Sequence, residues 1–173
     1  MRTAVSARAA RRHPAGAHEK SIDGALWRPE DSVGFRLKLA LHAWTRQLDA
    51  ALRPLGVTHV QFIALAAIEI FRERGETPSQ VRIAAATQFD VMMISKILRR
   101  LESRGYLERS PHPDDPRANA LHLTPAGREL VLSGSRVVRA AHAGFFDCRL
   151  DADGKQKLAG LLDRLLLPGT VAN

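Results

Sequence analysis

At 173 residues the chain is long enough to bury a sizeable core within one domain. Its 26 lysines and arginines stand against 18 aspartates and glutamates, a net charge of +8 and a pI of about 10.7, a balance that favours an anionic partner such as nucleic acid or an acidic surface. The single cysteine, Cys148, excludes a disulfide framework and a Cys-rich zinc site, and no apolar run approaches the roughly 18 residues that a bilayer span needs, so a cytoplasmic protein without a membrane partner is expected.

The charge is uneven. Residues 1–20 hold Arg2, Arg8, Arg11, Arg12 and Lys20 against Glu19 alone, so half of the net charge lies in a segment rich in Ala, Arg and His with little apolar periodicity. Residues 1–30 therefore read as a basic arm without fixed structure. It either trails along phosphates, remains a solvated tail, or serves as an Arg-rich targeting leader. Asp31-Ser32 then caps a helix running to about Arg53, ahead of Pro54. Its apolar positions, among them Phe35, Leu37, Leu39, Leu41, Trp44, Leu48 and Leu52, cover more than one face and so call for more than one packing partner. Thr58 caps a second helix from His59 to about Arg72, stopped by Gly75. Thr77-Pro78-Ser79-Gln80 has the form of an N-terminus, with Thr77 as cap, Pro78 at the first helical position and Gln80 three residues after the cap. The short helix that follows ends near Thr87, and the turn at Gln88-Phe89 leads into the next helix, so the pair forms a helix-turn-helix.

That next helix is the centre of the chain. Ile94, Ile97, Leu98 and Leu101 fall at i, i+3, i+4 and i+7 and make one apolar stripe, while Met92, Ser95, Lys96, Arg99, Arg100 and Ser103 lie on the other side. Asp90 stands at the N-cap and Gly105 at the stop; fifteen residues give about 22 Å, enough to place one end in a major groove. Tyr106–Arg109 and Ala120–Leu123 alternate as half-buried strands. The loop between them carries Pro111, Pro113 and Pro116, which keep it extended. Asp115 and Arg117 are two residues apart, close enough for the carboxylate to steady the guanidinium, and an Arg on such a tip suits a narrow minor groove. Helix, glycine stop and Arg-tipped hairpin together describe a recognition helix followed by a wing. Thr124-Pro125 then opens a long helix towards Asp147, and Asp151 opens a last one with Leu158, Leu161, Leu162, Leu165 and Leu166, ended by Pro168-Gly169. Five leucines in nine residues suggest an association surface.

At Gly56–Phe62, Ser95–Arg109, Asp115-Pro116-Arg117 and Leu123-Thr-Pro-Ala-Gly127, the chain resembles the MarR family of winged helix-turn-helix regulators, over roughly residues 32–167. The resemblance implies a mainly α (α+β) fold with a two-stranded β wing, and terminal helices forming a dimerisation region. Residues 31–57 would supply an N-terminal dimerisation helix, 58–124 the winged helix-turn-helix lobe, and 125–173 the C-terminal dimerisation helices, all in one compact domain. It further implies a homodimer on a pseudo-palindromic duplex, released by a small ligand. The DNA-binding residues expected on this footing are Met92, Met93, Ser95, Lys96, Arg99, Arg100, Asp115 and Arg117. Lys96 and the arginines could reach either guanine O6/N7 or phosphate. Many family members carry small polar residues where this chain has Met92 and Met93. A thioether there offers only apolar contact, for instance with a thymine methyl, unless one methionine belongs to the core. The family's ligand cleft lies between the first, second and fifth helices, where Trp27, His42, Trp44 and Arg46 stand by position and would suit an aromatic or phenolic acid.

Other chemistry finds little footing. The seven histidines stand in no HExxH or CxxC setting, so no metal is expected, and a GxSxG, a phosphate loop or a framed carboxylate pair is missing, which argues against an enzyme or a resident cofactor. Thiol sensors of the family keep a cysteine in the first helix; this chain has Leu41-His42 there, and Cys148, near a helix end, reads as a small buried hydrophobe. The expected function is a homodimeric, sequence-specific repressor. A nonspecific basic or architectural nucleic-acid binder and a metal- or redox-responsive regulator are the alternatives.

Overall fold

The computed structural model describes Pro29 and residues 32–167. The basic arm, Trp27 and the Pro168-Gly169 stop lie outside these. In chain order the elements are α1 (Val33–Leu52), a 3-10 turn (Arg53–Leu55), α2 (His59–Glu73), α3 (Gln80–Thr87), α4 (Val91–Ser103), β1 (Leu107–Pro111), β2 (Asn119–Leu123), α5 (Pro125–Asp147) and α6 (Ala152–Leu166). The strands form one antiparallel pair with Leu107 opposite Leu123 and Pro111 opposite Asn119. Helices α2, α3 and α4 with this hairpin make a winged helix-turn-helix, and α1 packs along α5 beside it.

Local chemistry sets most of the boundaries. Ser32 accepts from the Phe35 amide at 3.4 Å, and Thr58 and Gln61 exchange side-chain-to-backbone bonds in a full capping box of 3.1 and 3.3 Å. Thr124 receives the Gly127 amide at 3.0 Å and Asp151 the Gly154 amide at 2.8 Å. Gly105, at φ 72°, ends the turn after α4 in the left-handed region that an L side chain rarely adopts. Gly127 is needed for close approach instead. A Cβ there would lie 2.0 Å from the Tyr106 carbonyl oxygen, so only glycine lets the first turn of α5 close onto the wing.

One boundary departs from expectation. The cap of α3 is Ser79, which accepts from the Arg82 amide at 3.4 Å, not Thr77. Residues 77–79 are held extended by the wing: the Leu121 amide donates to the Pro78 carbonyl at 3.0 Å, Ser79 bridges Ala120, and His112 Nε2 donates to the Thr77 carbonyl at 3.1 Å. A residue paired in this way cannot also start a helix, so Pro78 is buried ahead of α3 and not at its first position. The strands are likewise displaced from the alternating runs: β1 begins at Leu107 and extends to Pro111.

The core lies under the lobe. Leu52, Leu65, Ile68, Ile83, Ile94, Leu98, Leu101, Leu107 and Leu121 are almost wholly buried there. Helix α1 contributes only Leu48 and Leu52 to buried surface; Val33, Leu37, Leu39 and Leu41 are exposed. Helix α6 buries no residue fully: Leu158 and Leu162 are half-buried facing His142 and Phe146 of α5, whereas Leu161, Leu165 and Leu166 stand 56, 69 and 81 % exposed and do not dock on the core of their own chain. Among the described residues no single helix is long and apolar enough to cross a membrane.

Candidate nucleic-acid interface

Helix α4 is positioned by its stripe. Ile94, Leu98 and Leu101 are buried against the core and Ile97 partly so, which turns the opposite side outward. Met92, Ser95, Lys96 and Arg99 follow one another at i, i+3, i+4 and i+7 on that outer side, and Arg100 flanks them. Lys96, Arg99 and Arg100 are exposed and Ser95 is half-buried. Arg99 Nε leans back to the Ser95 carbonyl at 3.3 Å. Both methionines are outside the core, at 65 % exposed for Met92 and 39 % for Met93. Asp90 closes the first turn by accepting from the Met92 and Met93 amides at 2.8 and 3.1 Å. The helix has thirteen residues, two fewer than the spacing predicts, or about 20 Å.

The far end of α4 is tied down as well. Arg104 Nη1 donates to the Gly56 carbonyl at 2.7 Å, and its guanidinium lies 4.9 Å from the Tyr106 ring centre. Arg109 Nε donates to Glu102 at 2.9 Å, which locks β1 to α4, while its Nη2 is buried without a partner among the described residues. These arginines serve the scaffold, a role for which no spacing or motif gives a signal.

The wing tip corrects one expectation. Asp115 does not hold the Arg117 guanidinium. Its carboxylate accepts from the Arg117 backbone amide at 2.9 Å, and its carbonyl accepts from Ala118 at 3.0 Å. A carboxylate two residues before an amide closes an Asx turn, and this shorter reach prevails over the flexible side chain. The arginine is thus presented by a shaped turn, and among the described residues no carboxylate lies within ion-pair reach of its guanidinium. Across the cleft between wing and α3, Arg82 pairs with Glu76 and stacks over Phe71 at 4.6 Å.

A second cluster sits where α1, α2 and α5 meet. The Trp44 ring stands edge-on to His59 at 5.5 Å and to His142 at 5.9 Å, and His142 lies 4.7 Å from Phe146. Trp44 Nε1 is buried and has no partner among the described residues. His59 is buried, and burial holds its pKa below the ordinary value of 6.5 against the opposing pull of the Asp49 carboxylate. Of the described residues placed here by position, His42, Trp44 and Arg46, only Trp44 enters this cluster. His42 and Arg46 are exposed and lie about half a turn away from it on α1. His59 and His142, its companions, are far apart in sequence, and no spacing or motif links them to Trp44.

Cys148 is exposed and not a buried hydrophobe: α5 ends one residue earlier, and the thiol accepts from Arg149 Nη1 at 3.0 Å. Among the described residues no three His, Cys, Asp or Glu side chains gather as a metal site.

The profile of the MarR family matches residues 57–118, from the start of α2 to the wing tip. An uncharacterized HTH-type transcriptional regulator, YdcH of Bacillus subtilis, is 37 % identical over 118 residues, which is 68 % of this chain and 80 % of the relative. Among solved structures, a mutant MarR from E. coli complexed with operator DNA superposes with a TM-score of 0.71 at 27 % identity, covering 78 % of this chain and 93 % of that one. BpsR of Bordetella bronchiseptica, whose DNA binding is regulated by 6-hydroxynicotinic acid, gives a TM-score of 0.71 at 25 % identity over 81 % of this chain and 96 % of the other.

Proposed function

The chain belongs to the MarR family of DNA-binding winged helix-turn-helix transcriptional regulators, and on that premise we propose that it is a cytoplasmic, homodimeric repressor that leaves its operator on binding a small aromatic acid. The observation that carries the DNA-reading half is the outer side of α4, where Lys96, Arg99 and Arg100 project beside Met92, Met93 and Ser95 while the buried stripe fixes the helix. In this reading α4 enters a major groove and Arg117, shaped by Asp115, enters the adjacent minor groove. Two copies would reach successive major grooves about 34–36 Å apart on a pseudo-palindrome. The exposed leucines of α6 and the exposed apolar positions of α1 support the dimer. The operator-bound neighbour supports binding to an operator, and the neighbour regulated by a hydroxynicotinic acid supports the effector class. Trp44 Nε1, without a partner among the described residues and flanked by two imidazoles, offers a donor for such an acid and rings for its face. A ligand that binds the free dimer better than the DNA-bound one shifts the population off DNA.

Fluorescence anisotropy of the purified protein on the duplex upstream of its own gene, beside a scrambled duplex and over a salt series, tests the reading. Preference for the native duplex by about a thousandfold or more, reduced by Arg117→Ala, supports it. Equal affinity for both duplexes, with a steep salt dependence removed by deleting residues 1–20, identifies a nonspecific basic binder instead.

A further inference from the structure

We propose that Met92 is a specificity-determining contact that reads a thymine C5-methyl group in the major groove, so that each half of the operator carries thymine under the first turn of α4. The inference rests on the DNA-reading function above and specifies what the helix reads.

Met92 shares its side of α4 with Ser95, Lys96 and Arg99, the side that the buried stripe turns away from the core. It is the most N-terminal member of that row, and the N-terminal residues of a recognition helix are those that meet base edges. At 65 % exposed it presents a large apolar side chain to water, with Met93 and Val91 exposed beside it. The neighbouring cleft, about 420 Å³ between α2 and α4, is lined by Thr58, Val60, Gln61, Met92, Met93 and Ile97, together with Asp90 and Lys96.

The first turn is also unsuited to a phosphate. Its amides are the usual anion site at a helix start, yet the Met92 and Met93 amides already donate to the Asp90 carboxylate, whose charge repels a second anion. A thioether, in turn, has nothing to donate to a phosphate oxygen or to a base acceptor. The thymine C5-methyl is the apolar group that the base pairs display in the major groove, and burying it against Met92 removes two apolar surfaces from water. Lys96, Arg99 and Arg100, farther along the same helix, supply the charge contacts that hold the duplex while Met92 discriminates among thymine, cytosine and uracil.

The test works without a known operator. The full-length protein selects its preferred duplex from a random pool, and each thymine of that duplex is then replaced by deoxyuridine, which removes only the methyl group. For the wild-type chain, one or two thymines in each half-site are expected to lose about three- to fourfold in affinity on losing the methyl, the value of one buried carbon. In Met92→Ala those penalties vanish and selection at those positions relaxes; in Met92→Leu they persist. A flat uracil scan in the wild-type chain, half-sites without enriched thymine, or an unchanged scan in Met92→Ala each overturns the proposal while leaving sequence-specific binding intact. A pool that enriches no sequence at all overturns both this proposal and the function on which it rests.

Discussion

Asp115 bonds to the main chain, and that determines which of its substitutions matter. Asparagine presents an oxygen with the same reach, so Asp115→Asn is expected to keep DNA affinity within about twofold. Asp115→Ala, which leaves the Arg117 amide without its acceptor, should lose roughly fivefold, the worth of about one hydrogen bond. Had the carboxylate steadied the guanidinium, both variants would fall together; anisotropy on one duplex separates the cases. His59 makes a second prediction. Its pKa is lowered by burial, so the unfolded chain binds a proton more readily than the folded one. The stability it permits is complete above the unfolded value near 6.5 and is lost as pH falls through the lowered folded value. Urea unfolding at pH 7.5 and 5.5 should therefore show a smaller acid loss in His59→Phe, which keeps an aromatic ring beside Trp44, than in the wild-type chain.

Among the elements, those whose signals are local could be read from the sequence. The stripe of α4 and the caps Ser32, Thr58, Asp90, Thr124 and Asp151 each act within one turn, and all stand where their spacing puts them. Thr77-Pro78 carried an equally good local signal and failed, because β2, some forty residues later, claims the Pro78 carbonyl. Asp115 failed for a related reason: the separation of two residues satisfies a turn and an ion pair alike, and only the backbone conformation decides. The junction of Trp44, His59 and His142 was hidden altogether, since three helices bring together residues with no shared period. Capping of α3 by Ser79 has a measurable consequence. Ser79→Ala should destabilise the lobe by about 0.5–1 kcal/mol in urea unfolding, whereas Thr77→Ala, which leaves the Thr77 carbonyl in place for His112, should cost less.

For the whole molecule, exposed apolar side chains gather on the two helices at the ends of the described chain. Val33, Leu37, Leu39 and Leu41 on α1 and Leu161, Leu165 and Leu166 on α6 stay exposed in one copy, and each leucine fully buried between copies would contribute roughly 1.5–3 kcal/mol. The paired substitution Leu161→Glu with Leu165→Glu removes none of the buried core, so it should leave the thermal transition of the lobe in place. Light scattering should then report twice the single-chain mass for the wild-type chain and the single-chain mass for the variant. An unchanged mass in the variant would place association elsewhere.

Because the Pro78 carbonyl and Ser79 are bonded to β2, and Arg109 holds β1 to Glu102, the wing and the two helices beside it are stitched into one piece. The opening between the α4 surface and the wing tip is therefore a gauge of fixed span. Where the grooves of a duplex do not match that span, the DNA has to bend, and stiff tracts resist bending more than flexible pyrimidine–purine steps do. If α4 and Arg117 read DNA as proposed, such a lobe would select among sequences by their mechanical compliance at base pairs that no side chain reaches.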